Sequence, residues 1–403
     1  MRILMVSDVY FPRINGVSTS ILTFQQELLK LGHEVHVIAP AYPAGHPEEA
    51  HITRIESRYV LLDPEDRLMK AARIYELLPQ LREKKFDLVH IQTPFLAHYV
   101  GVKLARLLNI PTVETYHTFF EELLYHYVPV LPKFSTRWIT RSFTRAQCNA
   151  VDAVIVPSTA MSKVLRQYGC VSPIHIAPTG IQMEKFKVGV RSSFRAKHGI
   201  AEDRSVLLFA GRISHEKNIE FLLTMTARLK CTRPRILLLI CGEGPARGSL
   251  QRRVKRMGLA DNVMFIDYLD RETELMDCYR AADVFVFASR AETQGLVLLE
   301  AMALGVPVVS TAVMGTIDIL SPNRGALVAE DDAGDFAANV ALLLRDRALR
   351  MSVGADGREY AKTWNAATAA QRVVDIYHGV IANSMARAVH GEQAMLGKPS
   401  AAN

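Results

Sequence analysis

The sequence predicts an α/β protein built from two doubly wound, parallel-sheet domains, and three observations carry that prediction. Short runs that are apolar at nearly every position recur along the chain, longer segments of helical periodicity separate them, and the whole alternation starts twice. A strand that is apolar on both faces needs cover on both sides, which is the condition of a parallel sheet flanked by helices. Strands and helices in alternation supply that cover by winding about the sheet in both directions.

In the first half the candidate strands are Ile3–Val6, Glu34–Ala39, Leu88–Ile91, Pro111–Thr115, Ala153–Val156 and Ile174–Ile176. In the second half they are Val206–Phe209, Ile236–Ile240, Val263–Ile266, Val284–Phe287, Val306–Ser310 and Ala326–Val328. Ala177-Pro178-Thr179-Gly180-Ile181 interrupts the pattern, so the boundary is set at Pro178. The first domain is then residues 1–178 and the second 179–365, followed by a helix over 366–385 and a flexible tail over 386–403.

A chain of 403 residues with 49% hydrophobic and 22% charged residues can bury two cores, and disorder is not expected over most of its length. The formal charge of +7 suits anionic partners such as nucleotides or acidic lipid surfaces, but it is too small an excess to point to nucleic acid. Cys148, Cys170, Cys231, Cys241 and Cys278 are dispersed without a Cys-x-x-Cys pair, which reads as thiols in a reducing compartment. The apolar run at Met1–Val6 is too short for a signal peptide, and no stretch is long enough for a transmembrane helix. The expected place is the cytoplasm, with contact to the inner face of a membrane open.

The densest chemistry lies in Ser289-Arg290-Ala291-Glu292-Thr293-Gln294-Gly295-Leu296, between a strand ending at Ala288 and a helix beginning near Gln294–Leu296. Ligands of open α/β sheets sit outside the carboxyl ends of strands, where a helix N-terminus offers unpaired N–H groups and a positive dipole. Gly295 would let a ligand approach without a side chain in the way. Glu300 follows Glu292 by eight residues, about 80° around a helix and two turns along it, so both carboxylates can reach hydroxyls on one side. The plainer alternative makes both ordinary acids of a helix start and its solvated face.

Other strand ends add to this. Val206–Phe209 runs into Gly211-Arg212-Ile213-Ser214-His215-Glu216-Lys217, and Arg212 with Lys217 could neutralise a departing pyrophosphate. Gly242-Glu243-Gly244-Pro245 is a glycine-rich turn after the next strand, and Asp267-Tyr268-Leu269 closes another. In the first half, Ile3–Val6 leads to Asn15-Gly16, and Pro111–Thr115 leads to Tyr116-His117. No Gly-x-Gly-x-x-Gly follows the first strand, which argues against a bound NAD or FAD. No Asp-x-Asp follows a strand, so neither a metal nor another cofactor is expected.

Glu-Thr-Gln-Gly-Leu-Val-Leu-Leu-Glu-Ala-Met-Ala at 292–303 resembles the signature of the family 4 retaining glycosyltransferases, and the likeness extends over nearly the whole chain. The resemblance implies the GT-B fold, two Rossmann-like domains facing across a cleft. It implies that Glu292 contacts the donor sugar, that Glu300 contacts the ribose, and that the backbone of Gln294, Gly295 and Leu296 contacts sugar and phosphates. Arg212 and Lys217 would hold the diphosphate, Gly242 would face the cleft, and the backbone of Tyr268 and Leu269 would read the base. His117 would hydrogen-bond the donor sugar near the reacting carbon. Gly16 would lie by the donor phosphate; family members commonly have two glycines there, and Asn15, which tolerates positive φ, takes the place of one. The last helix would pack back on the first domain.

From Phe119 to Cys148 the first domain carries an additional helical segment. Lys133, Arg137, Arg141 and Arg145 recur every four residues with Phe134, Trp138, Ile139 and Phe143 among them, after Leu123–Pro129. A basic amphipathic helix with aromatic residues suits an anionic membrane surface, and relatives that glycosylate lipids are expected to use this region so. The alternative is a helix packed by its apolar residues with the arginines in water.

The function expected from this set is transfer of a hexose from a UDP- or GDP-linked donor to a lipid or surface-glycan acceptor, and the resemblance implies retention at the anomeric carbon. Two rivals stay open: a nucleotide-sugar epimerase of the same fold, and a non-catalytic subunit that binds a nucleotide sugar.

Overall fold

The computed structural model of the chain describes residues 1–43, 49–60, 63–119, 133–186, 190–270 and 273–396. The first half contributes β1 (Arg2–Val6), β2 (Glu34–Pro40), β3 (Ile52–Ile55), β4 (Ser57–Val60), β5 (Asp63–Met69), β6 (Leu88–Ile91), β7 (Thr112–Thr115), β8 (Ala153–Val156) and β9 (Ile174–Ile176). The second half contributes β10 (Val206–Ala210), β11 (Leu237–Cys241), β12 (Val263–Ile266), β13 (Val284–Phe287), β14 (Val308–Thr311) and β15 (Ala326–Ala329). They form a seven-stranded sheet in the order β3-β2-β1-β6-β7-β8-β9 and a six-stranded sheet in the order β12-β11-β10-β13-β14-β15. Every pairing in both is parallel. The chain therefore has the doubly wound, two-sheet architecture expected of it.

Burial explains why these runs are strands. Ile3 to Val6, Val206 to Phe209 and Leu237 to Ile240 are shielded on both faces, so each residue contributes whichever way its side chain points. Alternate residues feed two cores in the first domain: Leu4 and Val6 face one layer of helices, Ile3 and Met5 the other. Sequence periodicity did not mark β3, β4 and β5. Among the described residues β3 is an edge strand paired with β2, and β4 with β5 forms a small antiparallel ribbon, so neither carries the continuous apolar run of a central strand.

Two crossings join the halves. Ile181 forms an isolated parallel bridge with Asn365, its N–H donating to Trp364 O at 2.7 Å and its carbonyl accepting from Ala366 N at 3.1 Å. From there the last helix, Ala366–Leu396, returns to the first domain. Ala370, Val373, Val374, Tyr377 and Val380 are buried at helical spacing against Ile21, Phe24 and Leu28 and against Val113, Ala153 and Ile155 of the sheet. The helix does not stop at 385: it continues to Leu396, and Arg387 reaches Asp152 at the foot of β8. Residues 397–403 of the expected tail lie outside the described residues.

Asn15 corrects one expectation. It has φ −155°, not a positive φ, and caps the Gly16–Lys30 helix by accepting from Ser18 N while Ser18 Oγ accepts from Asn15 N. The place needs an N-cap side chain, which glycine lacks.

The crossing also makes a prediction. A Cβ on Gly180 would fall 2.5 Å from Ala366 Cα and 2.6 Å from Asn365 O, both backbone atoms. Gly180→Ala is expected to cost about 1–3 kcal/mol in urea unfolding, the range for overpacking a site that cannot yield. An unchanged midpoint would show that the two crossings are not held in contact.

Candidate active site

In the second sheet the chain runs from β10 outward to β11 and β12, then returns to the other side of β10 as β13. The gap between β10 and β13 is the switch point, where the loops leaving the two strands diverge and open a crevice at the carboxyl edge. The two loops there carry Arg212 to Lys217 and Ser289 to Glu292. They are stitched together: Arg290 N donates to Glu216 O at 3.0 Å, and Ser289 Oγ to the same carbonyl at 3.3 Å. Across them Lys217 Nζ sits 2.6 Å from Glu292 Oε2, with 17% and 20% of the side chains exposed.

Burial works to lower the pKa of the Lys217 ammonium, but Glu292 and Glu216 outweigh it, so the pKa is raised and the charge retained. Arg212 is close enough to act on Lys217 in the opposite sense. Two cations and a carboxylate thus share one crevice in partial shelter from water, where electrostatic effects exceed those at a surface.

The first domain closes on the same place. Thr293 Oγ1 donates to His117 O at 3.0 Å, so the loop that carries Glu292 touches the loop that leaves β7. His117 is partly buried, and its imidazole lies with Nε2 3.1 Å from Gln92 Oε1. Burial pushes its pKa down from 6.5 to about 4, so the ring is neutral near pH 7. Glu292, Lys217 and Arg212 are therefore brought together, and the loop of His117 touches the loop that carries Glu292.

The remaining expected residues divide. Glu300 is buried at 4% exposure and accepts from Tyr279 Oη at 2.9 Å on Oε2. Gln294 uses its side chain inside the protein: Nε2 donates to Thr179 O at 2.7 Å and Oε1 accepts from Thr179 N at 2.9 Å. Thr179 Oγ1 in turn lies 2.6 Å from Ser20 Oγ on the first helix. Only the backbone of Gln294 remains for a ligand; its amide is a clamp on the interdomain crossing. Leu296 opens the Leu296–Ala303 helix, and Gly295 precedes it with φ +98°, where an added Cβ would meet Thr316 Cγ2 at 3.0 Å. Glycine is thus required there by the fold itself, before any ligand enters.

Gly242 has a similar reason, since a Cβ there would lie 2.1 Å from Gly211 O, in the neighbouring loop. At Gly16 a Cβ would meet nothing within 4 Å. Tyr268 is exposed at the edge of the sheet, and Leu269 packs on the second core. Arg137, Trp138, Arg141 and Arg145 are exposed on the Lys133–Cys148 helix, and the Arg141 guanidinium lies over the Tyr168 ring, 5.2 Å from its centre. Leu123–Pro129 and the side chains of Lys133 and Phe134 lie outside the described residues.

Sequence reasoning passed over Tyr279, Thr293, His90 and Gln92. The polar pair His90 and Gln92 at the end of an apolar strand was a visible signal; Tyr279 sits in an ordinary helix and gave none.

Two family models match the chain. Residues 14–185 match "Glycosyltransferase Family 4", and residues 190–360 match "Glycosyl transferases group 1". The alpha-monoglucosyldiacylglycerol synthase of Streptococcus pneumoniae is 33% identical over 320 residues, which cover 77% of this chain and 71% of the relative. The chain belongs to glycosyltransferase family 4. This family 4 enzyme is also 28% identical to a GDP-mannose-dependent alpha-mannosyltransferase of Mycobacterium tuberculosis over 335 residues, 81% of this chain and 83% of that one. Its fold matches Anabaena HepE in complex with UDP-glucose at a TM-score of 0.75 and 17% identity, over 94% of this chain and 100% of the other. The architecture is GT-B, and its relatives act on lipids and glycans.

The buried histidines of this glycosyltransferase link stability to pH. Burial lowers His90 from 6.5 to about 3 and His117 from 6.5 to about 4, so the unfolded chain binds more protons on acidification than the folded one. Their contribution is complete above the unfolded value of 6.5 and is lost as pH falls toward the folded values. The urea midpoint is expected to decline from about pH 7 to pH 5, and to decline less steeply in His90→Gln. Equal slopes would show that His90 is not held neutral by burial.

Proposed function

We propose that this glycosyltransferase moves a hexosyl group from a UDP- or GDP-linked donor to a lipid or surface-glycan acceptor, with retention at the anomeric carbon and without a metal ion. The observation that carries the proposal is the Lys217–Glu292 pair at the switch point, with His117 on the opposing loop. A diphosphate entering the crevice offers Lys217 a stronger partner than one carboxylate. Lys217 exchanges Glu292 for phosphate, Arg212 supplies the second cation, and Glu292 is released toward the sugar hydroxyls. The N-terminus of the Leu296–Ala303 helix adds its dipole.

The bond between the anomeric carbon and the diphosphate oxygen breaks, and the acceptor oxygen bonds to that carbon on the same face. The acceptor proton passes to the departing diphosphate, so no protein nucleophile is used. The protein acts by orientation and by charge placed beforehand. Neutral His117 contacts the donor sugar, and Glu300, held by Tyr279, contacts the ribose. UDP-glucose bound to HepE and the GDP-mannose dependence of the mycobacterial relative support a nucleotide-sugar donor.

A lipid acceptor gains support from the Lys133–Cys148 helix. It buries Thr140, Thr144 and Gln147 and leaves Trp138 66% and Ile139 43% exposed beside Arg137, Arg141 and Arg145. Apolar and cationic groups on one outer face fit the headgroup layer of an anionic bilayer. No helix among the described residues is long and apolar enough to cross a membrane.

The test is transfer from UDP-glucose and GDP-mannose to lipid in anionic vesicles, with product stereochemistry read by NMR. Lys217→Ala and Glu292→Gln are each expected to lower kcat/KM by about 10²–10³-fold, the scale of removing one stabilising group from a transition state. Unchanged rates in both would remove the site assignment, and conversion of donor without acceptor would favour an epimerase. Separately, Arg137→Glu with Trp138→Ala is expected to weaken binding to anionic vesicles in a sedimentation assay by roughly 30-fold or more, at about 1 kcal/mol for the basic residue and more for the indole. Undiminished sedimentation would place the membrane contact elsewhere.

A further inference from the structure

Behind His117 lies a buried chain of polar groups that the reaction above does not use. His117 Nε2 is 3.1 Å from Gln92 Oε1. Gln92 Nε2 is 3.0 Å from His90 Nδ1, and His90 Nε2 is 2.7 Å from Thr115 Oγ1. Tyr377 Oη, from the last helix, lies 2.6 Å from His90 Nδ1. His90, Gln92 and Tyr377 are each 1% exposed or less, so water does not compete for these bonds.

A neutral imidazole has one N–H and one bare nitrogen, and a primary amide has a donor end and an acceptor end. The chain therefore has two self-consistent settings. In the first, the one lone pair of a bare His90 Nδ1 accepts chiefly from Tyr377 Oη at 2.6 Å and is shared with Gln92 Nε2 at 3.0 Å, His90 Nε2–H donates to Thr115, and Gln92 Oε1 accepts from His117 Nε2–H. In the second, every proton is reversed, the amide turns over, and His117 carries its proton on Nδ1. Tyr377 decides between them. A phenol O–H is a better donor than acceptor, and its contact with His90 Nδ1 is the shortest of the four, which favours the first setting.

We propose that Tyr377 is a positioning residue that sets the tautomer of His117 through His90 and Gln92, leaving Nδ1 of His117 as the acceptor for a donor-sugar hydroxyl. The inference rests on the reading that His117 touches the donor sugar. It gives the returning helix a part in the reaction: the helix that closes the fold, from 287 residues away in sequence, selects the hydrogen-bond polarity at the crevice. Burial keeps both imidazoles neutral near pH 7, which the relay requires.

Tyr377→Phe is the sharpest variant, because it keeps the ring that packs edge-on against His90 at 5.5 Å and removes only the hydroxyl. The probes are long-range proton–nitrogen NMR of nitrogen-15 histidine in the full-length protein, and steady-state transfer from UDP-glucose or GDP-mannose, whichever the enzyme turns over. Wild type is expected to show His117 protonated on Nε2. Tyr377→Phe is expected to show a mixture of tautomers and roughly a tenfold loss of kcat, with KM for the donor within about twofold. His117 protonated on Nδ1 in wild type would overturn the proposal whether or not the variant folds. So would an unaltered tautomer and kcat in Tyr377→Phe while His117→Gln is inactive. Full activity in His117→Gln would instead overturn the underlying reading of His117, and the relay with it.

Discussion

The Lys217–Glu292 ion pair is the contact on which the rest of the crevice depends. It spans the two loops that part at the switch point of the second sheet, so it exists only because β10 and β13 are neighbours in space. A lysine in partial shelter loses hydration, and the carboxylates of Glu292 and Glu216 keep it charged. Removing either partner leaves the other sheltered and uncompensated, which is costly in a way that replacing both is not. In the proposed reaction this tension is useful: the pair holds both groups in place until a diphosphate displaces the carboxylate.

Rigidity around the pair comes from backbone packed on backbone. The loops after β10 and β11 touch through Gly211 and Gly242, and Ile213 N donates to Glu243 O at 2.7 Å. Gly315 packs on Thr293 O, where a Cβ would lie 1.9 Å away, and its N–H holds Glu292 O at 2.8 Å. Loops locked in this manner place charges without reorganisation at the moment of reaction, the condition under which electrostatic stabilisation is most effective. The Gln294 clamp extends the order to Thr179 and Ser20, so the loop of Glu292 is tied to the segment that joins the two halves.

The central strands were legible because burial on both faces writes itself as an unbroken apolar run; Leu88–Ile91, Ala153–Val156 and Val284–Phe287 were located to the residue. The edge strand Ile52–Ile55 and the small ribbon beside it were not, since one-sided or partial burial leaves no such run. In the site, residues that follow strand ends were legible by position. What the sequence concealed was partnership. Gln294 reads as a ligand group by its place in the motif, and only the fold shows its amide bonded to Thr179. Asn15 reads as a substitute for glycine and proves to be a helix cap. Tyr377 and His90 are adjacent only because a helix crosses back over the sheet, a relation that no local pattern encodes.

The most direct measurement of the central claim is a crystal structure of the protein with the nucleoside diphosphate of its donor. The account predicts diphosphate oxygens within about 4 Å of Lys217 Nζ and of the Arg212 guanidinium, the range of an ion pair, with Glu292 turned from Lys217 toward the space beside His117. A diphosphate bound away from the gap between β10 and β13, with Lys217 still on Glu292, would contradict it.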